Sequence, residues 1–364
     1  MKVLLASPSM RIGGAERVVT MLAGGLVKRG HEVALVAPRG ERDEDLRDVP
    51  HIRLTLDEHG RGATGAIRSA AQMARAIGRI APDVVHAQNV KYAAIGRAAT
   101  EVARPGRHRP VLATFHGVLP AEYRRAALLL RLADHVACVS SAVLERIVAA
   151  GLPRSRVSLV RNAVEIPSPA DPAYRDELDR ELGLAGAPVV AIVGRLVSQK
   201  AHERFVRAAT LVAQAQPEVR FLVVGDGPRR AAIERQVQEA GLAQRLHFTG
   251  RRSDARAIIA RAEILVFSSD WEGLSIAALE ALAAGTPVVS TDVEGMRELL
   301  AGGAGAIVPL DDGTKLGECL LALLRDEPQR LAMGRTGREL IARDFSLDAM
   351  VDAYVRLYER LAYA

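Results

Sequence analysis

Glu280 is the one charged residue between Glu272 and Asp292, inside the run Trp271-Glu-Gly-Leu-Ser-Ile-Ala-Ala-Leu-Glu-Ala-Leu-Ala-Ala-Gly-Thr-Pro-Val-Val289. Burying its carboxylate without hydrogen-bonding partners would be costly, and the sequence supplies no cation nearby. It either faces solvent or a backbone donor, or it meets a ligand. An ionised carboxylate is purely an acceptor, and a sugar diol is a matching pair of donors. A second polar group, Gly194-Arg-Leu-Val-Ser-Gln-Lys200, follows directly on the apolar run Val189 to Val193. Arg195 and Lys200 are therefore expected in a loop at a strand's carboxyl edge, where a bidentate guanidinium and a compact ammonium suit a diphosphate. The turn Trp271-Glu272-Gly273-Leu274-Ser275 leads into a helix expected near 275–284, so its amides add a positive helix end. His116 ends the run Val111-Leu-Ala-Thr-Phe115, a placement open to a ligand contact and to a structural role alike. Gly13 and Gly14 open the first helical pattern, either as a plain tight turn or to let backbone approach a ligand.

Other chemistries find no support. There is no Gly-x-x-x-x-Gly-Lys-Ser/Thr loop, and Gly225-Asp-Gly227-Pro-Arg-Arg230 lacks the third glycine of a dinucleotide-binding turn. Asp43-Glu-Asp45 stands in a charged loop without the apolar strand that would present a metal-binding pair. None of the nine histidines has a partner at zinc-site spacing, so metal-free chemistry is expected. Cys138 and Cys319 lack metal or redox spacing and are expected to be core thiols in a reducing cytoplasm.

The elements that must position these residues read as alternating strands and helices. Apolar runs stand at Lys2–Ala6, 32–37, 83–87, 111–115, 136–139 and 157–160, and a first helix follows Gly13-Gly14 with Val18, Val19, Leu22 and Leu26 at helical spacing. Glu165-Ile-Pro-Ser-Pro-Ala-Asp-Pro172 then reads as a stiff connector. Beyond it the rhythm restarts, with strands at 188–193, 220–224, 246–249, 264–268 and 287–290 and helices near 201–215, 229–240, 254–261 and 275–284. This predicts an α/β chain of two Rossmann-like domains with parallel sheets, and ligands beyond the carboxyl ends of the strands.

At 364 residues the chain is long enough for two cores, and 49% hydrophobic with 25% charged residues is a soluble globular composition. No apolar run is long enough to cross a bilayer, and Met1-Lys2 leads straight into a short strand, so neither a transmembrane helix nor a signal peptide is expected. Residues 1–165 carry 25 Lys and Arg against 15 Asp and Glu, the remainder 24 against 28. The basic excess concentrates in Arg104-Pro-Gly-Arg-His-Arg109 and in Tyr123-Arg-Arg-Ala-Ala-Leu-Leu-Leu-Arg131, which has the pattern of a basic amphipathic helix. Both a solvated basic surface and docking on an anionic membrane face fit it. Nucleic acid does not, because aromatic stacking partners are scarce.

Gly13-Gly-Ala-Glu-Arg17, Thr114-Phe-His-Gly117, Gly194-Arg-Leu196, Gln199-Lys200, Gly225-Asp-Gly-Pro228, the Glu-x7-Glu pair Glu272 and Glu280, Thr286-Pro-Val-Val289 and Gly295-Met-Arg-Glu298 together resemble the family 4 retaining glycosyltransferases along nearly the whole chain. The resemblance implies a GT-B fold, with an acceptor-binding domain at 1–165 plus a returning helix at 345–364, and a nucleotide-sugar-binding domain at 173–344. It implies that Arg195 and Lys200 hold the diphosphate, Glu280 the ribose hydroxyls, and Glu272 and His116 the donor sugar. Leu274, Ser275 and Ile276 would offer amides, and Gly250 and Arg251 would lie near the base. Asn162-Ala-Val-Glu165, Gln88, Ala201 and Ser275 depart from the common pattern. The function so implied is transfer of a hexosyl unit from a nucleoside diphosphate sugar, UDP-linked by family habit, to a lipid-linked or envelope or exopolysaccharide hydroxyl. It would proceed in the cytoplasm or at the inner membrane face, without a cofactor. A nucleotide-sugar epimerase of the same architecture, or a nonenzymatic nucleotide-sugar or membrane-binding scaffold, are the rival readings.

Overall fold

The unbroken apolar runs become strands whose side chains are buried on both faces, as parallel strands covered by helices require. The computed structural model describes residues 1–46, 49–53, 63–103, 106, 108–167, 172–184 and 186–363. Arg104, Pro105 and Arg107 of the first basic stretch, and residues 168–171 of the connector, lie outside the described residues. The chain divides into two compact units, Met1–Ala163 with Leu347–Ala364, and Val164–Ser346.

Unit 1 runs β1 (Lys2–Ala6), α1 (Gly14–Lys28), β2 (Glu32–Ala37), β3 (His51–Arg53), α2 (Ala63–Ile80), β4 (Val84–Ala87), α3 (Val90–Ala103), β5 (Val111–Phe115), α4 (Tyr123–Leu130), β6 (His135–Cys138), α5 (Ser141–Ala149) and β7 (Val157–Leu159). Its sheet is parallel, in the order β3-β2-β1-β4-β5-β6-β7. Unit 2 begins with α6 (Pro172–Glu181), β8 (Val189–Val193), α7 (His202–Ala215), β9 (Arg220–Val224), α8 (Arg230–Glu239) and β10 (Leu246–Gly250). It continues with α9 (Ala255–Arg261), β11 (Ile264–Phe267), α10 (Ile276–Ala284), β12 (Val288–Thr291), α11 (Glu294–Leu300), β13 (Gly305–Val308), α12 (Thr314–Arg325) and α13 (Glu327–Asp344). Its sheet is parallel in the order β10-β9-β8-β11-β12-β13. Each unit has its own apolar core, around Leu4, Val85, Ile77 and Phe115 in the first and Ile192, Phe205, Phe221 and Val266 in the second.

Helix boundaries follow local chemistry. Ser140 accepts from the Val143 amide to start α5, Asp326 accepts from the Gln329 amide to start α13, and Gly285 ends α10 at φ +81°. Two expectations are corrected here. Pro172 begins a helix instead of closing the connector, at the first helical position where its missing N–H does no harm. Asp43 and Asp45 lie in a 3-10 turn over Glu41–Leu46, where Asp45 pairs with Arg42 at 2.8 Å.

The final helix, α14 (Leu347–Ala362), belongs to unit 1. Tyr354 and Tyr358 are fully buried beside β4 and β5, and Arg29, just after α1, donates to Asp348 and Asp352 at 2.9 Å each. That burial, with a salt-bridged rim, fastens the chain's end onto its beginning.

Candidate functional site

In unit 2 the strand order reverses between β8 and β11, so the loops leaving their carboxyl ends diverge and open a crevice. The first loop carries Arg195 and Lys200; the second carries Glu272, Leu274 and Ser275 and runs into Ile276. The loops are laced together. The Asp270 amide donates to the Gln199 carbonyl at 2.9 Å, the Gln199 side chain donates to the Trp271 carbonyl at 3.0 Å, and Ser268 Oγ donates to the Lys200 carbonyl at 2.8 Å. Arg204 braces them from α7, donating to the Ser268 carbonyl, to Asp270 Oδ1 at 3.0 Å and to the Asp311 carbonyl at 2.6 Å.

Lys200 and Glu272 do not stand as independent groups. Lys200 Nζ lies 2.6 Å from Glu272 Oε1, the same oxygen accepts from Ser269 Oγ, and the Glu272 side chain is only 6% exposed. Arg195 is exposed and has no side-chain hydrogen-bond or ion-pair partner among the described residues. Ser275 precedes α10 in extended conformation, and its hydroxyl does not cap the helix's first-turn amides. Trp271 Nε1, on the same loop, is buried and unpartnered.

The expectation that Glu280 lacks a nearby cation is corrected. Arg256, one helix away on α9, brings Nε to 3.9 Å from Glu280 Oε1, and the Glu280 side chain is 10% exposed. The sequence hid this because α9 and α10 meet only through packing. Arg256 also donates to the Glu165 carbonyl at 2.8 Å, so its charge is shared.

Close backbone contacts explain several glycines. A Cβ at Gly295 would sit 1.4 Å from the Gly273 carbonyl oxygen, so α11 can press on the 272–273 turn only without a side chain there. Gly225, at φ +140°, and Gly227 would place a Cβ 2.0 Å and 2.5 Å from the carbonyls of Gly194 and Leu196. The Gly-Asp-Gly turn thus lets the β9 loop lie against the β8 loop, a structural role. Gly250 closes β10 at φ +71° and accepts the Gly225 amide at 2.8 Å, with exposed Arg251 following it. Ala201 sits at φ +43°, a left-handed conformation that strains a non-glycine residue by about 1 kcal/mol.

In unit 1 the order reverses between β1 and β4. Gly13 and Gly14 lie between β1 and the body of α1, Gln88 follows β4, and His116 follows β5. Gly13 has an extended φ of −170°, so its backbone does not demand glycine; a Cβ there would meet the Glu16 carboxylate at 2.3 Å. His116 Nε2 is buried without a partner, and burial pushes its imidazole down to about 4. His86 beneath it is held down to about 3, by burial first and then by the charge of His116. Its Nδ1 lies 2.7 Å from Tyr358 Oη and its Nε2 2.7 Å from Thr114 Oγ1, which is 2.8 Å from Tyr354 Oη. Gln88 Nε2 reaches the same His86 nitrogen at 3.3 Å, while its Oε1 stays buried and unpartnered.

Residues 12–166 match the model described as Glycosyltransferase Family 4, and residues 187–326 match the one described as Glycosyl transferases group 1. The chain belongs to the family 4 glycosyltransferases. It is 27% identical over 352 residues to the lipopolysaccharide core biosynthesis glycosyltransferase LpsE of Rhizobium meliloti, an alignment covering 95% of each chain. It is 33% identical over 249 residues to the 2-deoxystreptamine glucosyltransferase of Streptomyces kanamyceticus, covering 65% of this chain but only 62% of that one. Its fold is shared with Anabaena HepE, crystallised with UDP and glucose, at TM-score 0.85 and 21% identity over 99% of this chain and 100% of that one. WaaG, involved in lipopolysaccharide biosynthesis, superposes at TM-score 0.79 and 19% identity over 98% and 99%. The two Rossmann-like units are those of the GT-B fold.

Within this family 4 chain, His116, Gly13 and Gly14 occupy the carboxyl edge of the unit 1 sheet. Arg195, Lys200, Gly250, Arg251, Glu272, Leu274, Ser275, Ile276 and Glu280 gather beyond or beside that of unit 2. Sequence reasoning did not find Ser269, Arg204 or Arg256. A serine pair directly after Phe267 was the available signal for Ser269; the two arginines announce nothing, because their partners are remote in sequence.

Proposed function

We propose that the chain transfers a hexosyl unit from a nucleoside diphosphate sugar, UDP-linked, to a hydroxyl of a lipid-linked or envelope saccharide, with retention at the anomeric carbon and without a metal. The observation that carries this reading is the pairing of two loops at the carboxyl ends of β8 and β11: one carries Lys200 and the unpaired Arg195, the other carries Glu272, 2.6 Å from Lys200, and leads into α10, where Ser275 makes no capping bond. That arrangement supports a diphosphate seat, with amides, an ammonium and a guanidinium converging on one anion. The lipopolysaccharide role of LpsE, aligned over 95% of both chains, supports the acceptor class.

In this reading the bond from the anomeric carbon to phosphate breaks with its electron pair passing to the diphosphate. Arg195, Lys200 and the amides of Leu274, Ser275 and Ile276 stabilise the charge that develops, at ~3 kcal/mol for a single preorganised donor. Lys200 keeps one N–H on Glu272 and turns the others to phosphate. Glu272 in turn accepts from a sugar hydroxyl through its second oxygen. Glu280 takes the ribose hydroxyls, and Gly250 and Arg251 border the base. The acceptor hydroxyl bonds to carbon on the face the phosphate leaves and gives its proton to the departing phosphate, so no pair of catalytic carboxylates is required.

A panel of nucleotide sugars screened by thermal shift tests the donor. Release of nucleotide is then compared with and without crude lipid-linked saccharide. Release only with acceptor supports transfer; release with an altered free sugar would make the chain an epimerase; binding without release would make it a scaffold. Association with an anionic membrane belongs to the same proposal and draws on α4, whose outward face carries Arg124, Arg125 and Leu128, the last 65% exposed. Absence of salt-sensitive binding to anionic vesicles would remove that part. Among the described residues, no helix is long and apolar enough to cross a membrane.

A further inference from the structure

α14 carries two aspartates toward its start and two arginines toward its end. Asp348 and Asp352 are taken up by Arg29, just after α1, and Glu359 is near enough to His31 to act on it electrostatically. Arg356 and Arg360, one turn apart, line the side of α14 that borders β7. β7 is the edge strand of its sheet, and between it and α14 lies an open groove of about 370 Å³. Leu159, Val160 and Leu357 make its apolar floor, and Ser158, Arg356 and Arg360 its polar rim.

Neither guanidinium on that rim is held by a carboxylate. Arg356 is exposed and has no partner among the described residues. Arg360 donates to Nε2 of His135 at 3.0 Å. A guanidinium can only donate, so that nitrogen must accept and the imidazole is neutral with its proton on Nδ1. Burial first, and then the charges of Arg360 and Arg156, push His135 down to about 4. Ser158 Oγ lies 2.8 Å from the same nitrogen. Arg154 and Arg156, in the turn before β7, add positive charge while donating only to backbone carbonyls. Two like charges at i,i+4 repel by a few tenths of a kcal/mol, and no described carboxylate pairs with either.

We propose that this groove binds a phosphate ester bearing an apolar substituent, with the phosphate between Arg356 and Arg360 and the substituent along Leu159, Val160 and Leu357. Two guanidinium groups on one rim match phosphate geometry, and the volume is that of an ordinary small-molecule site. The groove is lined by unit 1 residues alone, and the inference does not depend on the nucleotide-sugar assignment made within unit 2.

The test is calorimetric titration of the full chain with inorganic phosphate, phenyl phosphate and dihexanoylphosphatidic acid below its micelle concentration, while side-chain nitrogen NMR follows His135. Both esters are expected to bind more tightly than inorganic phosphate, and the tighter of the two names the source, soluble ester or lipid. The His135 resonances should shift on binding. Arg356→Gln, which breaks no existing contact, should weaken the esters about tenfold, and the Arg356→Gln, Arg360→Gln double variant should abolish binding. Three results would each overturn the proposal: no ester binding at millimolar concentration, esters no tighter than inorganic phosphate, or binding unchanged in the double variant.

Discussion

Replacing Lys200 by alanine removes the ammonium that lies 2.6 Å from Glu272, whose side chain is 6% exposed. Stranding a buried carboxylate costs about 3–5 kcal/mol. Two features put the effect here near the lower limit, about 3 kcal/mol: Lys200 is itself 17% exposed, and Ser269 Oγ still donates to the same oxygen. For a unit of this size that corresponds to a fall in Tm of roughly 6–12 °C. Trp271 is the single tryptophan of the chain and adjoins Glu272, so its fluorescence during urea unfolding reports on this loop. The decisive comparison is a double-mutant cycle with Glu272→Gln. Once the carboxylate is neutral, losing Lys200 should matter little, and the coupling should be about 2 kcal/mol. A well-folded Lys200→Ala of unchanged stability, with coupling under about 0.5 kcal/mol, would show that the pair is not the electrostatic unit described.

Arg195→Ala should leave stability within about 0.5 kcal/mol, because the side chain has no partner to lose, yet weaken UDP binding about tenfold or more by calorimetry. Glu280→Ala should weaken nucleotide affinity more than it alters the ranking of sugars in the donor panel, and an unchanged dissociation constant would contradict a ribose role. Gly295→Ala should cost more than about 3 kcal/mol or prevent folding of unit 2, since its Cβ would lie 1.4 Å from the Gly273 carbonyl; a normal melting curve would contradict that packing. His86, His116 and His202 are pushed by burial to about 3, 4 and 4, below the ordinary 6.5. Their stabilisation is complete above pH ~6.5 and is lost as pH falls toward 4, because only the unfolded chain gains their protons; each adds a slope of up to ~1.4 kcal/mol per pH unit in urea titrations.

Much of the frame was legible because its signals are local. Val189 to Val193 and Arg220 to Val224 are apolar runs that a parallel sheet buries on both faces, and Gly13, Lys28 and Gly30 bracket α1 as helix ends do. The weakly marked elements were not: β13, Gly305-Ala-Ile-Val308, is short and mostly half-buried, and α6 starts at a proline that reads as linker. For the site, sequence alone determined which polar groups stand at strand ends, because a side chain directly after an apolar run has nowhere else to go. Only the tertiary structure decided their partners. Parallel pairing of β8 with β11 brings Lys200 to Glu272, packing of α9 on α10 supplies Glu280 with Arg256, and α14 returns to lock His86. Such contacts join residues far apart along the chain, and hydrophobic periodicity specifies which face is buried without specifying which charged group will lie across from it.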